Sequence, residues 1–177
     1  AWTERTADDV QDFVQMFIDY QAARPRTKFQ LAVTLKETGQ LIGNCGLRLK
    51  ASDAHEAEIG YEFSADQWGK GYATEAAQAM VHLGFTEFGL HRISADCVAD
   101  NVASAHVLEK AGMKLEGRLR DAEYFKGRYW DTLLYAVLED EWRRMRGTAV
   151  SLPIPQKSPT CASSARSTTC RGLLKLV

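Results

Sequence analysis

Two hydrophobic periods alternate along most of this chain, and the changes between them mark its elements. At the start, TADDVQDFVQMFIDYQAA places Val10, Phe13, Val14, Phe17 and Ile18 on one helical face. Thr6, followed by Asp9 three residues on, has the form of a capping box that begins this helix. FQLAVTL then alternates, with Phe29, Leu31, Val33 and Leu35 on one side of a strand. Gly39 turns the chain and QLIGNCGLRL returns, which predicts a hairpin. AEIGYEFS predicts a third strand and runs straight into QWGKGYATEA, where the period becomes helical. Ala77, Met80, Gly84 and Phe88 form the stripe of that helix, and Gly89 ends it. RISADCV reads as a strand through Ile93, Ala95 and Cys97. DNVASAHVLEKAG predicts a short helix capped by Asp100 or Asn101, with Val107, Leu108 and Ala111 inward and Gly112 at its end. Strands around Leu115–Phe125 and Trp130–Leu138 flank KGR as a closing hairpin. This order predicts an α/β (α+β) domain with a mixed sheet and no internal repeat.

Composition narrows the picture. The chain has 177 residues, 45% hydrophobic and 25% charged, which suits one domain with a proper core. A formal net charge of −1 gives no field that would gather nucleic acid or an anionic membrane surface. No apolar run approaches the ~20 residues of a membrane helix, and no signal-peptide pattern opens the sequence. Cys45, Cys97, Cys161 and Cys170 lack C-x-x-C spacing and read as free thiols of a reducing, cytoplasmic compartment. His55, His82, His91 and His106 form no H-x-x-x-H pair, so no metal site is expected. Residues 147–177 hold four basic side chains, no acid, and three of the four prolines, which leaves 18 basic against 23 acidic side chains on residues 1–146, a formal −5. That composition is expected to give a domain over residues 1–146 and a disordered basic tail over 147–177, with a basic docking arm as the other reading.

The glycines of QWGKGYATEA need a reason. A strand that ends in Gly-x-Gly and enters a helix exposes several N–H groups at the positive end of the helix dipole, a ready place for phosphate. Turn geometry alone is the competing explanation. A Walker A loop is excluded, because G-x-x-x-x-G-K-[ST] is absent. A dinucleotide fingerprint fits poorly, with Thr74 at its third glycine position and hairpins ahead of it.

EAEIGYEFSADQWGKGYATEAAQAM and HRISADCVADNVASAHVLEKAGMKLEGRLRDAEYFKGRYWDTLLYAVLEDEW, taken with their spacing, resemble the GNAT family of acetyl-CoA-dependent N-acetyltransferases. The nearest branch is similar to enzymes that acetylate ribosomal-protein N-termini, with relatives acting on spermidine and on antibiotics. The resemblance spans about Ala1 to Trp142. It implies a GNAT-like fold, acetyl-CoA as cosubstrate, and a loop of Gly69, Lys70, Gly71, Tyr72, Ala73 and Thr74 that cradles the CoA pyrophosphate. Trp68 stands where the family's loop begins with Arg or Gln. The family also opens with a strand and a helix that precede AWTERTADD. Without them one sheet edge is expected to be short or uncovered, which favours self-association as a homodimer.

Acetyl transfer needs a neutral amine, and a positioned base removes the proton that an alkylammonium carries near neutral pH. Carboxylates beside the loop come from AEIGYEF, where Glu58, Gly60 and Glu62 share one face of the strand and Ile59, Tyr61 and Phe63 the other. Glu58 falls where histone-acetylating relatives carry their base and is preferred to Glu62; a solvated strand face is the bland alternative. Tyr61 and Phe63 are implied to border the cofactor. Asn101 resembles the family's CoA-contacting asparagine, and Ser104 the serine proposed near the thiolate; helix capping explains Asn101 as well. The tyrosine that follows that asparagine by seven residues in many relatives is Leu108 here. Tyr124, Arg128 and Tyr129 bracket the closing hairpin, on the acceptor side or as a plain aromatic turn. The acceptor itself, whether a ribosomal-protein N-terminus, a polyamine or an antibiotic amine, is not legible. A non-catalytic acyl-CoA-binding module and a nucleotide-binding protein are the readings from other classes.

Overall fold

The computed structural model describes residues 6–147 and 174–176. Thr6 caps the first helix, α1 (Ala7–Ala22): its hydroxyl accepts from the Asp9 amide while the Asp9 carboxylate takes the Thr6 amide at 2.8 Å. The strands β1 (Lys28–Leu35), β2 (Leu41–Leu49) and β3 (Glu56–Phe63) follow as an antiparallel meander. A single 3-10 turn, Ala65–Gln67, leads to α2 (Tyr72–Thr86). Then come β4 (Arg92–Val98), α3 (Val102–Lys110), the long hairpin β5 (Lys114–Phe125) and β6 (Arg128–Leu138), and α4 (Glu139–Met145). One more strand, β7 (Leu174–Leu176), joins the far edge. The sheet reads β5-β6-β4-β3-β2-β1-β7, with the β3–β4 pair parallel and the others antiparallel.

One face of this sheet is covered by α2 and α3. Ala57, Ile59, Ile93 and Leu47 from the strands meet Ala76, Ala77, Met80 and Leu108 from the helices, all buried. Gly84 belongs to this packing, since a Cβ there would run into Ile93 and Leu90. Glu58, Gly60 and Glu62 point to the opposite face, as the alternation of the strand dictates. There α1 lies over the sheet.

The structure corrects the expected face of α1. Phe13 and Phe17 turn half-buried toward the sheet, but Val10, Val14 and Ile18 are each about 50% exposed. A 3.6-residue period identifies a stripe wider than the helix buries against one flat neighbour, and here only its aromatic margin is covered.

A second difference lies at the sheet's edge. Leu174–Leu176 pairs with Val33, Thr34 and Leu35, within the stretch read as disordered, while residues 148–173 and 177 are outside the described residues. Short alternation in LLKLV suffices for three ladder positions, although the Ser/Thr/Pro composition around it conceals the signal. Lys28–Ala32 has no strand beside it on that side among the described residues. The net gain of a few ladder bonds is about 0.5–1.5 kcal/mol each, against about 1–2 kcal/mol per residue for ordering the backbone. Truncation after Gly147 is therefore expected to shift Tm by less than about 4 °C. A larger drop in thermal unfolding would show that β7 holds the fold together.

Candidate functional site

The site is made by a fault in the sheet. β3 and β4 pair only at Glu56–Arg92, Ala57–Ile93 and Glu58–Ser94, and beyond these positions they part. β2 continues to hold β3 as far as Phe63, and β6 holds β4 as far as Val98, so each strand keeps its outer neighbour while the two part. A cavity of about 380 Å³ passes through the opening. Glu58 and Glu62 line it from the α1 face, Tyr61, Ser104 and Leu108 from the α2–α3 face.

Above the split on the helix side sits the glycine loop. Gly69 and Gly71 have φ of 74° and 85°, the left-handed region in which a side chain is strained. A Cβ at either glycine would meet nothing within 4 Å, so the backbone conformation, and not crowding, requires glycine. Gly71 is the N-cap of α2 and no side chain caps that helix. The first-turn amides of Tyr72, Ala73 and Thr74 are those a helix cannot satisfy by itself. Trp68, in place of the family's Arg or Gln, uses its indole N–H to bond the Phe63 carbonyl at 2.9 Å, which ties the loop to the end of β3. Gln67 is buried beneath the loop; it accepts from Lys70 at 3.1 Å and donates to Asp66 at 2.7 Å. Lys70 is thus held by the loop's own side chain.

Asn101 is the N-cap of α3, its side-chain oxygen accepting from the Ser104 amide at 3.1 Å. The Tyr61 hydroxyl lies 2.9 Å from Ser104 Oγ, where either atom can donate, and 3.2 Å from the Ser104 carbonyl, which can only accept. Burial pushes the Tyr61 phenol up to about 12, against the opposing hydrogen bond to Ser104. Leu108 is 1% exposed, packed under this group, and leaves no room for a phenol in its place without moving the core.

Glu58 occupies the other mouth. Arg48 reaches it from β2 at 3.5 Å and lies across Gly60, where a Cβ would come within 3.0 Å of the guanidinium. A second cavity of about 460 Å³ adjoins the first and shares Glu58, Ala95 and Asp96 with it; Glu116 and Glu123 of β5 line its far wall. Arg92 pairs with Glu116 and holds its carboxyl below the usual range. Among the described residues no cation is paired with Glu62, Asp96 or Glu123; Asn44 and Thr132 donate to the first and last at 3.4 Å.

Sequence reasoning missed Asp96, Glu116 and Glu123. Period-2 placement of Asp96 beside Ser94 on the face of Glu58 was the available signal. The bulges in β5, between Leu115 and Gly117 and between Leu119 and Glu123, hid the facing of the other two. Tyr124 and Tyr129 pack with ring centroids 4.9 Å apart and planes tilted by 60°, and are more than 60% exposed, outside both cavities. Arg128 bonds Asp100 at 3.0 Å and so fastens the hairpin tip to the loop before α3.

Comparison with known proteins bears on the family and the fold. The family model described as an acetyltransferase (GNAT) domain matches residues 1–114. An uncharacterized N-acetyltransferase of Bacillus licheniformis, p20, is 36% identical over 132 residues, 75% of this chain and 73% of that protein. The ribosomal-protein-serine acetyltransferase of Escherichia coli is 37% identical over 84 residues, 48% of this chain and 47% of its own length. A spermidine N-acetyltransferase from Vibrio cholerae, solved in complex with CoA and spermine, has a TM-score of 0.68 at 21% identity and 80% coverage of both chains, which speaks to the fold alone.

Proposed function

The chain belongs to the acetyltransferase (GNAT) family, and on that premise we propose how its residues divide the work of moving an acetyl group from acetyl-CoA to a primary amine. The cavity at the parted strands carries the reading, because it brings Tyr61 and Ser104 from the helix-covered face together with the carboxylates Glu58 and Glu62 of the other. The amides of residues 69–74 hold the pyrophosphate, with Lys70 screening its charge. Tyr61, Phe63 and Asn101 border the cofactor. Main-chain N–H groups of β3 that face the split polarise the thioester carbonyl. Glu58 takes the proton from the incoming ammonium, directly or through water, and the Ser104 hydroxyl gives a hydrogen bond to the sulfur as the C–S bond breaks.

The acceptor is a cationic amine. Glu62, Asp96 and Glu123 give its mouth a negative field that Lys28, stacked on Tyr20 at 4.0 Å, only partly offsets. An extended protein N-terminus suits the groove that both cavities form, in line with the relative that acts on a ribosomal protein; a polyamine is the alternative. No helix among the described residues is long and apolar enough to cross a membrane. Cys45 and Cys97, buried and not joined in disulfides, fit a cytoplasmic setting.

Thiol release from acetyl-CoA, measured across a panel of N-terminal peptides, polyamines and aminoglycosides, tests this function. Binding of acetyl-CoA without release on any amine would leave only a cofactor-binding module. With a competent acceptor, Ser104→Ala is expected to lower kcat about tenfold, near 1.4 kcal/mol, with the KM for acetyl-CoA little changed. An unaltered kcat from pH 6 to 9 would reduce Ser104 to a helix-turn residue.

A further inference from the structure

The serine beside the sulfur does not set its own direction. A hydroxyl turns freely about its C–O bond, and one with several neighbours presents its hydrogen wherever the best acceptor lies. Ser104 has the Tyr61 phenol from β3 at 2.9 Å, the Cys97 thiol from β4 as a neighbour, and the open cavity before it. We propose that Tyr61 is the positioning residue of the leaving-group pocket: its phenol, within reach of both the Ser104 carbonyl at 3.2 Å and Oγ at 2.9 Å, gives its one hydrogen to the nearer Oγ, so that the serine's own hydrogen points into the split. This rests on the role given to Ser104 above.

The geometry is specific. Tyr61 lies three residues past the last β3–β4 pair and Cys97 three past its partner, so both stand at the same depth in the opening. From there the phenol spans to the first turn of α3. Because it is half-buried and held near 12, it stays protonated throughout the working range. It does not hand its proton to a thiolate whose conjugate acid lies near ~8.5. It acts only by its hydrogen bond. As the amine nitrogen bonds the carbonyl carbon and the C–S bond breaks, the electron pair leaves on sulfur. Ser104 stabilises that charge, and solvent supplies the proton the thiol finally carries. The place of the family's tyrosine, Leu108, is filled by core, and the phenol that serves this pocket comes instead from across the sheet.

CoA and desulfo-CoA, compared by calorimetry at pH 7 and pH 9, isolate the contact with sulfur without any acceptor. The groups around the phenol are the thiols of Cys45 on β2 and Cys97 on β4 and the hydroxyl of Ser104 on α3. Glu58, Glu62, Asp96, Arg48 and Lys28 share the cavity, and the desulfo control cancels whatever their titration contributes. The wild-type chain is expected to prefer CoA over desulfo-CoA by about tenfold at pH 9, where the thiolate is populated, and by less at pH 7. Tyr61→Phe should reduce the pH 9 preference at least threefold with both ligands still bound, Ser104→Ala should abolish it, and the double variant should match Ser104→Ala. If Tyr61→Phe keeps the wild-type preference while Ser104→Ala loses it, the inference about Tyr61 fails and the role of Ser104 stands. Equal weakening of both ligands in Tyr61→Phe would also overturn it, as that is loss of packing. No preference in the wild type would remove the serine's role and this inference together, and failure to bind either ligand would remove the cradle. Should Tyr61→Phe not fold, 3-fluorotyrosine at position 61 keeps the shape and strengthens the donor. The preference should then rise, and an unchanged value would count against the proposal.

Discussion

Replacing Gly71 with aspartate is expected to abolish the stabilisation that CoA confers on this chain. A ligand that binds only the native state adds RT ln(1 + [L]/Kd), about 2.7 kcal/mol at a hundredfold excess over Kd. For a domain of this size that is a rise in Tm of about 5–11 °C. Two effects act at Gly71. A φ of 85° is strained for any residue with a Cβ, and a carboxylate there sits against the phosphates that the α2 amides attract. Gly71→Asn separates them, since asparagine tolerates the left-handed region and carries no charge. The asparagine variant should keep part of the shift and the aspartate variant none. Scanning fluorimetry with and without CoA reads both, and a full shift in Gly71→Asp would mean that the phosphates lie elsewhere.

Glu58→Gln is expected to cost the reaction about 10²–10³ in kcat, within the roughly 10²–10⁴ that a positioned general base contributes. Glu58 lines both cavities, so its carboxylate faces an acceptor in either. Arg48 reaches that carboxylate at 3.5 Å and holds it in place, while leaving it nearly half exposed, able to pass a proton to water. The sign of the pH dependence distinguishes proton removal from acceptor binding. At low pH the acceptor is an ammonium and the missing base is felt in full. As pH rises through the amine's own range, about 8 for an α-amine and above 10 for an alkylamine, free amine accumulates and the defect should shrink. A loss constant across pH would make Glu58 an anchor for the acceptor's charge. No loss at all would move the base to another carboxylate of the groove.

The sequence made the strands and helices from α1 to β6 legible as elements, because most carry a continuous period bounded by Gly or a capping residue, although bulges break the facing within β5. Thr6 and Asp9, Asn101, and the glycines at 69 and 71 were readable for the same reason: their effects on the backbone are local. The way α1 meets the sheet was not, since a hydrophobic stripe does not say how much of it a neighbour will cover. Nor was β7, whose three residues are decided by the free edge of β1 and by nothing in their surroundings. Glu58 and Ser104 could be picked out from motif and strand face. What no local pattern could reveal is that β3 and β4 separate after Ser94, because that depends on β2 and β6 holding them apart. The bond between Tyr61 and Ser104, 43 residues apart, exists only through that separation.

The through-going cavity has a consequence for traffic. A cleft with one entrance makes its visitors queue, and the second must reach past the first. Here the nucleotide end of the cosubstrate would enter from the helix side and the amine from the side of α1 and the β5–β6 hairpin, meeting at the parted strands. Order of arrival is then free, and the spent thiol and the acetylated product can depart by separate doors. The acyl group never has to wait on the protein for its second partner. Such a wall can also serve an acceptor far larger than the cavity, provided that only its tip is put through.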